Sequence, residues 1–496
     1  MSATVEVQPS GKILIKCFNP SDGEPLRELE GHSLEAVNQI LKRLRSAAVI
    51  YNYTPVRERT KLVRRFRKAL VANLDEVIES ICSETGKKRP EAMLEVFAAL
   101  EVMRYQAKIA HRTLRSRHRS SGVLIHKRGY VEYRPHGVAA VISPWNYPFV
   151  LVVSPLVEAL LAGDTVVVKP SEFTSLTALY LKQLFDESTG RPELFEIVVG
   201  AAAVGQQLVS SPLTDIICFT GSTKVGQIIA QGCAQTLKPL VLELGGKDAL
   251  IILEDANLKR AAKSAVWGGF TQAGQVCMAV ERVYVMAAIY DKFLNLLREE
   301  TRRLTTGDKL EDAIGPITVD FQYDKVSAHL KDAESKGAVV ETFGKPDGRH
   351  IPPTIITGVD HTMTVMTDET FGPELAVMPV ASEEEAIEKA NDSLYGLSTY
   401  IFTGNERRGR RMARRLSSGM VVINDVIIQY GVAALPFGGF RYSGIGKVHG
   451  REGLWSFSQQ QAIVHTRIPL PMELWWFDLA HKTYGTLRKF VKWWYG

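Results

Sequence analysis

The sequence predicts an α/β fold built on a parallel sheet covered on both faces. Three observations predict it. Short β-rich runs alternate with helix-length segments between residues 138 and 219. The chain has 496 residues, too many for one compact core, so two or three domains are expected. Its 45% hydrophobic and 23% charged content is that of an ordinary globular protein.

The elements follow in order. Val138-Ala139-Ala140-Val141-Ile142 reads as a buried strand. Pro155 to Gly163 is a helix-length apolar segment. Thr165-Val166-Val167-Val168 reads as a second strand, and Ser175 to Glu187 as a second helix. Glu196-Ile197-Val198-Val199 and Asp215-Ile216-Ile217-Cys218-Phe219 read as further strands. The sequence has neither an internal repeat nor a low-complexity linker.

Composition excludes several classes. The five cysteines, Cys17, Cys82, Cys218, Cys233 and Cys277, form no metal pair and no disulfide framework, which favours a reducing compartment and no bound metal. Met1 to Lys16 has no continuous apolar core, so no secretory signal is expected. No apolar run reaches the ~18 residues of a membrane span. A net charge of +6 does not imply nucleic acid. A cytoplasmic protein is expected.

The chemistry-bearing segment is Gly268-Gly269-Phe270-Thr271-Gln272-Ala273-Gly274-Gln275-Val276-Cys277. Glu243, in Glu243-Leu244-Gly245-Gly246-Lys247, stands 34 residues earlier. A cysteine among small neighbours, with a carboxylate in a glycine turn, suggests covalent catalysis with a separate base. Asn146, in Pro144-Trp145-Asn146-Tyr147-Pro148, adds an amide donor for an oxyanion. Taken singly these are bland: a buried thiol, a solvated carboxylate, a turn former. Gly221-Ser222-Thr223-Lys224-Val225-Gly226 follows a strand and opens a helix, placing backbone N–H groups where a pyrophosphate could sit. Lys169-Pro170-Ser171-Glu172 lies at a strand end, and Glu369-Thr370-Phe371-Gly372-Pro373 follows later. Pro436-Phe437-Gly438-Gly439 and Ser443-Gly444-Ile445-Gly446 complete the set.

Together, from about Asn19 to Val464, these segments resemble the NAD(P)-dependent aldehyde dehydrogenase superfamily. The resemblance implies a Rossmann-like cofactor domain, a second α/β catalytic domain and a β-arm for oligomerisation. It implies oxidation of an aldehyde to the acid through a Cys277 thiohemiacetal and thioester. Asn146 and the Cys277 backbone N–H would hold the oxyanion, and Glu243 would act as base. Lys169 and Glu172 would hold the adenine ribose, Gly221, Ser222 and Gly226 would form the pyrophosphate turn, Glu369 would hold the nicotinamide ribose, and Phe371 would pack beside the nicotinamide. Trp145 is counted with this cofactor set. NAD is expected because Glu172 repels a 2′-phosphate, with NADP as the alternative. The expected division is 1–122 with 134–245 for the cofactor domain, 246–450 for the catalytic domain, 123–133 with 451–466 for the arm, and 467–496 for a tail. The arm is expected to pair Val123–Tyr133 with Gln461–Thr466, in a homodimer or higher homo-oligomer. A CoA-acylating dehydrogenase is the nearest alternative, opposed by Glu243. A catalytically silent membrane scaffold is another, opposed by intact Cys277, Glu243 and Asn146.

Two peripheral features stand outside that pattern. Arg407, Arg408, Arg410, Arg411, Arg414 and Arg415 crowd a helix-like stretch, and Arg64, Arg65, Arg67 and Lys68 form a second cluster. Solvated faces are the expectation for both. Four of the seven tryptophans, Trp475, Trp476, Trp493 and Trp494, fall in the last 22 residues. On a helical wheel from Pro471, Trp476, Leu479, Ala480, Leu487, Phe490, Val491 and Trp494 share one face. Asp478, His481, Gly485, Arg488, Lys489 and Lys492 lie opposite. Such a helix is covered either by a membrane surface or by a subunit. The fatty-aldehyde branch of the resembled family, which carries a C-terminal membrane element, points to the membrane.

Overall fold

The structure, a computed structural model, describes residues 3–7, 13–309 and 311–496. They form two compact units. One is the chain up to Leu114 with Arg134–Gln459; the other is Arg115–Tyr133 with Gln460–Gly496.

The first unit holds two large sheets. In the first, five parallel strands run in the order Phe195–Ile197, Thr165–Lys169, Val138–Ile142, Ile216–Thr220 and Leu240–Glu243. Gly444–Ile445 adds an antiparallel edge, with Glu243 opposite Gly444. The order reverses direction between Val138–Ile142 and Ile216–Thr220, and ligands bind beyond the strand ends at such a point. Those two ends lead into Ser143–Asn146 and Gly221–Ser222. Every residue of Val138–Ile142 and Thr165–Lys169 is buried, as two helix-covered faces require. Val138, Val167, Ile217 and Leu242 share a core with Leu41 and Leu44 from the Leu34–Tyr51 helix.

The second sheet runs Val339–Thr342, Thr354–Thr357, Glu374–Val380, Arg282–Met286, Ala249–Ile252, Ser398–Phe402 and Met420–Ile423. All pairs are parallel except the first. The α/β expectation therefore holds for both sheets.

Some boundaries differ from the sequence reading. The helix expected from Pro155 begins at Val150, with Pro155 inside it. Proline reads as a helix start, but all 13 residues of Val150–Ala162 are buried, and that packing outweighs one missing N–H. The Asp215–Phe219 strand lies one residue later, and Glu196–Val199 is Phe195–Ile197.

The second unit contains a three-stranded sheet ordered Ser458–Thr466, Lys127–Pro135, Arg117–Arg119. Lys127–Pro135 and Ser458–Thr466 are neighbours in that order, and the strand starts at Lys127 rather than Val123. Arg117–Arg119 was not anticipated. The tail helix is Phe477–Tyr495, shorter than the wheel assumed, and Trp476 is its N-cap residue. Glu473 explains the late start. Its carboxylate accepts from Lys127 Nζ at 2.5 Å and lies 3.0 Å from His126 Nε2. No residue of the helix is buried. No described helix is long and apolar enough to cross a membrane.

The arginine cluster lies on the Glu406–Ala413 helix and just beyond it. Arg408 bonds Glu254 and Glu383, Arg410 pairs with Glu406, and Arg415 with Glu384. It is a salt-bridged surface, close to the solvated face expected.

Candidate active site

A cavity of about 800 Å³ opens at the strand ends of the first sheet. Its wall contains Cys277, Glu243, Asn146, Trp145, Lys169, Glu172, Gly221, Ser222, Glu369 and Phe371. Segments 224 residues apart in sequence, from Trp145 to Glu369, thus meet at one cavity. Gly226 is the exception among the expected residues, because it faces the sheet. A Cβ there would lie 2.5 Å from Leu244 Cδ2, so this glycine lets the helix approach the strand.

Cys277 follows a strained turn. The Leu258–Phe270 helix ends in Thr271–Gly274, where Gln272, Ala273 and Gly274 have φ of 50°, 52° and 72°. Three consecutive left-handed residues persist only where surroundings hold them. A Cβ on Gly274 would meet the Gly372 carbonyl at 1.9 Å, so glycine is required there. Asn146, 3% exposed, donates Nδ2 to the Gln275 carbonyl at 2.9 Å, while its own carbonyl accepts from Gln272 Nε2 at 2.5 Å. The asparagine is thereby fixed to the loop that carries Cys277.

Glu243 is the last residue of its strand and 4% exposed. Its Oε1 is buried and has no hydrogen-bond partner. Burial pushes its carboxyl well above the usual range; the like charge of Glu158 adds to this and Lys447 opposes it. Burial also pushes the Cys277 thiol well up, followed by the carboxylates of Glu243, Asp248 and Glu369. The resting site therefore favours the protonated thiol and the neutral acid. The two glycines after Glu243 are steric necessities. A Cβ on Gly245 would lie 2.6 Å from the Glu369 carboxylate, and one on Gly246 2.8 Å from the Cys277 carbonyl.

The far end of the cavity fits a dinucleotide. Ser222 caps the Thr223–Ala234 helix, accepting from Val225 N, and leaves that helix N-terminus at the cavity wall. Lys169, 5% exposed, extends along the wall to Glu172, with Nζ 3.3 Å from Oε2. Glu369 accepts from Gly246 N at 3.0 Å, and burial lifts its carboxyl to about 7. Trp145 packs edge-on to Phe371 at 5.6 Å. Phe371 itself has φ of 60°. Its N–H and that of Thr370 both donate to Glu281, which is ion-paired with buried Lys247.

Sequence reasoning missed Glu281 and Glu158. Glu281 stands four residues after Cys277, and Lys247 was visible only as the end of a glycine turn. Charged residues that end up buried beside a site carry no periodic signature. Among the described residues no cluster has the make-up of a metal site.

The sequence pattern of the Aldehyde dehydrogenase family matches residues 7–463. The 4,4'-diapolycopene aldehyde oxidase of a Methylomonas species is 39% identical over 485 residues, 97% of this chain and 91% of the relative. A putative NADP(+) succinate-semialdehyde dehydrogenase of Mycolicibacterium smegmatis is 36% identical over 455 residues, 90% of this chain and 87% of the relative. The crystal structure of an aldehyde dehydrogenase from Brucella melitensis biovar abortus superposes with TM-score 0.89 at 32% identity, covering 94% of this chain and 98% of that one. A Staphylococcus aureus betaine aldehyde dehydrogenase in complex with NAD+ gives 0.89 at 29% identity, covering 94% and 93%. The chain belongs to the aldehyde dehydrogenase family and is an NAD(P)-using oxidoreductase acting on aldehydes.

Proposed function

We propose that this enzyme oxidises a large apolar aldehyde to its carboxylic acid with NAD, through a covalent intermediate on Cys277. The observation that carries this is the single cavity in which Cys277, Asn146 and the orphan Oε1 of Glu243 meet the dinucleotide segments. Glu243 takes the thiol proton, and Sγ forms a bond to the aldehyde carbon. The carbonyl oxygen becomes an oxyanion held by the Asn146 amide and the Cys277 N–H. Bound NAD supplies the hydride acceptor. After the C–H bond breaks, a thioester remains on Cys277. Glu243 gives that first proton up to solvent, then takes one from water as the hydroxyl attacks; the C–S bond breaks with its electron pair leaving as the Cys277 thiolate, and the acid leaves. Lys169 and Glu172 hold the adenine ribose, and the carboxylate of Glu172 favours NAD over NADP.

The cavity wall supports an apolar substrate. Its lysines are Lys169, tied to Glu172, and Lys325, which lies close enough to Glu369 to favour its charged form. The wall also includes Leu151, Leu397 and Phe437. The likeness to the diapolycopene aldehyde oxidase covers 97% of the chain, so it reaches into segment 467–496. The tail helix carries Lys482, Arg488, Lys489 and Lys492 against one acid, Asp478. Phe477, Trp493 and Tyr495 are largely exposed. This suits peripheral attachment to an anionic lipid surface where apolar aldehydes reside. The exposed edge of Ser458–Thr466 suits pairing in a homo-oligomer. An aldehyde panel, from acetaldehyde through succinic semialdehyde to long-chain and polyene aldehydes, tests the reading. The highest kcat/KM should fall on the long apolar members; preference for succinic semialdehyde contradicts it.

A further inference from the structure

The Arg89–Leu114 helix carries Glu91 and Glu95 one turn apart, outside every segment assigned above. Both accept from backbone of the site. Glu91 Oε1 accepts from Thr271 Oγ1 at 3.0 Å and from Gln272 N at 2.5 Å. Gln272 is the first left-handed residue of the turn before Cys277. Its side chain donates to the Asn146 carbonyl, and its own carbonyl accepts from Gln275 Nε2 at 3.0 Å. Gln275 in turn accepts the Asn146 amide. Glu95 secures the other side. Its Oε1 accepts from Phe149 N at 2.9 Å and Val150 N at 3.0 Å, just past the Asn146 loop. Its Oε2 pairs with buried Lys87, which sits 3.6 Å from the Tyr147 ring centre.

We infer that Glu91 is a positioning residue that holds the left-handed Gln272–Gly274 turn in the conformation that seats Asn146 against the Cys277 loop. The physical argument is one of over-determination. Gln272 and Gln275 are 3% and 0% exposed, so the bonds they make cannot be replaced by bulk water. Left-handed backbone at non-glycine residues costs free energy that neighbouring contacts must offset. Glu91 supplies the acceptor for the Gln272 N–H at the start of the strained run. Without it, that N–H is buried and unpaired, and the turn relaxes toward ordinary backbone. Asn146 then loses the geometry that an oxyanion donor needs, where an error of about 1 Å costs on the order of a hundredfold in rate. The inference rests on the proposed role of Asn146.

The test compares Glu91→Ala, Glu91→Gln and Gln272→Ala with wild type. It measures kcat, KM for aldehyde and for NAD, Cys277 alkylation rate and thermal midpoint. Glutamine keeps an acceptor oxygen, so Glu91→Gln should retain most activity. Glu91→Ala and Gln272→Ala should each lower kcat about ten- to a hundredfold with KM for NAD within about twofold. The double variant should lose little more than either single one, since both break the same chain of contacts. Glu91→Ala with wild-type kcat overturns the inference, as does Glu91→Gln falling as far as alanine, or kcat falling only in proportion to folded protein. Should Glu91→Ala misfold, Glu91→Asp, whose shorter side chain draws the carboxylate away from the Gln272 N–H, decides by the same kcat criterion. Activity surviving Cys277→Ala would instead overturn the proposed chemistry.

Discussion

Cys277 and Glu243 sit where their resting protonation opposes their proposed work. Burial raises both, so deprotonation is the step that pH controls. Turnover at saturating NAD should therefore climb as pH rises through neutral and level off in the alkaline range. Glu243→Gln should flatten that climb and slow acid release more than thioester formation, leaving a burst of NADH. A wild-type pH profile in that variant would assign the base elsewhere. Asn146→Ala should cost about 10²–10³ in kcat. Cys277 and Glu243 were legible in the sequence because each stands in a motif whose glycines are sterically forced, and Asn146 because it stands between two prolines in a tight aromatic segment. Gly245, Gly246 and Gly274 each abut another site segment, so the motifs record the contacts that assemble the cavity. Glu91, Glu158 and Glu281 were not legible, because a lone glutamate in a helix or strand reads as solvated until the fold buries it.

Among the elements, four of the six strands of the first sheet were legible, since their buried runs of Val, Ile and Ala have no helical period, while Leu240–Glu243 and Gly444–Ile445 were not read as strands. The second sheet was not laid out in advance. Its strands are short and spread from Ala249 to Ile423 among helices, and one link, 343–353 between Val339–Thr342 and Thr354–Thr357, is irregular. The Lys169–Glu172 turn carries the cofactor prediction. Glu172→Ser should move the NAD to NADP ratio of kcat/KM toward NADP by about tenfold, or about 1.4 kcal/mol. A wild-type preference for NADP would contradict the role of Glu172. The tail helix was legible as amphipathic but not in its start, because the Glu473 contacts with His126 and Lys127 bring together residues far apart in sequence. Burying several of its aromatics at ~25 cal/mol per Å² gives a few kcal/mol, enough for reversible attachment. Full-length protein should float with anionic vesicles, release in high salt, and lose flotation on truncation after Thr466 while keeping turnover of short aldehydes. Flotation unchanged by truncation rules out the tail as the lipid contact. A changed oligomeric state with no flotation assigns it to subunit packing.

At the scale of the whole molecule, buried carboxyls set the pH response of stability. Glu158 accepts from Gln106 Nε2 and His449 N at 2.7 Å, and burial raises it from 4.5 to about 8. A raised carboxyl binds its proton more tightly in the native state, so its contribution is complete below pH 4.5 and is lost as pH rises toward 8. Glu84, Glu369 and Glu374, raised to about 7, 7 and 8, act in the same direction. The thermal midpoint should fall across that window, and Glu158→Gln should make the fall shallower. An unchanged slope would show that Glu158 does not titrate there. The central claim is that this architecture exists to oxidise an aldehyde on Cys277. Its most direct test is NADH formation from a long-chain aldehyde by wild type and Cys277→Ala, with NAD affinity measured on both and the aldehyde-treated Glu243→Gln protein mapped by mass spectrometry. The account predicts NADH from wild type only, equal NAD binding in both, and an acyl adduct on Cys277. NADH from the Cys277→Ala protein, or an adduct on another residue, would contradict it.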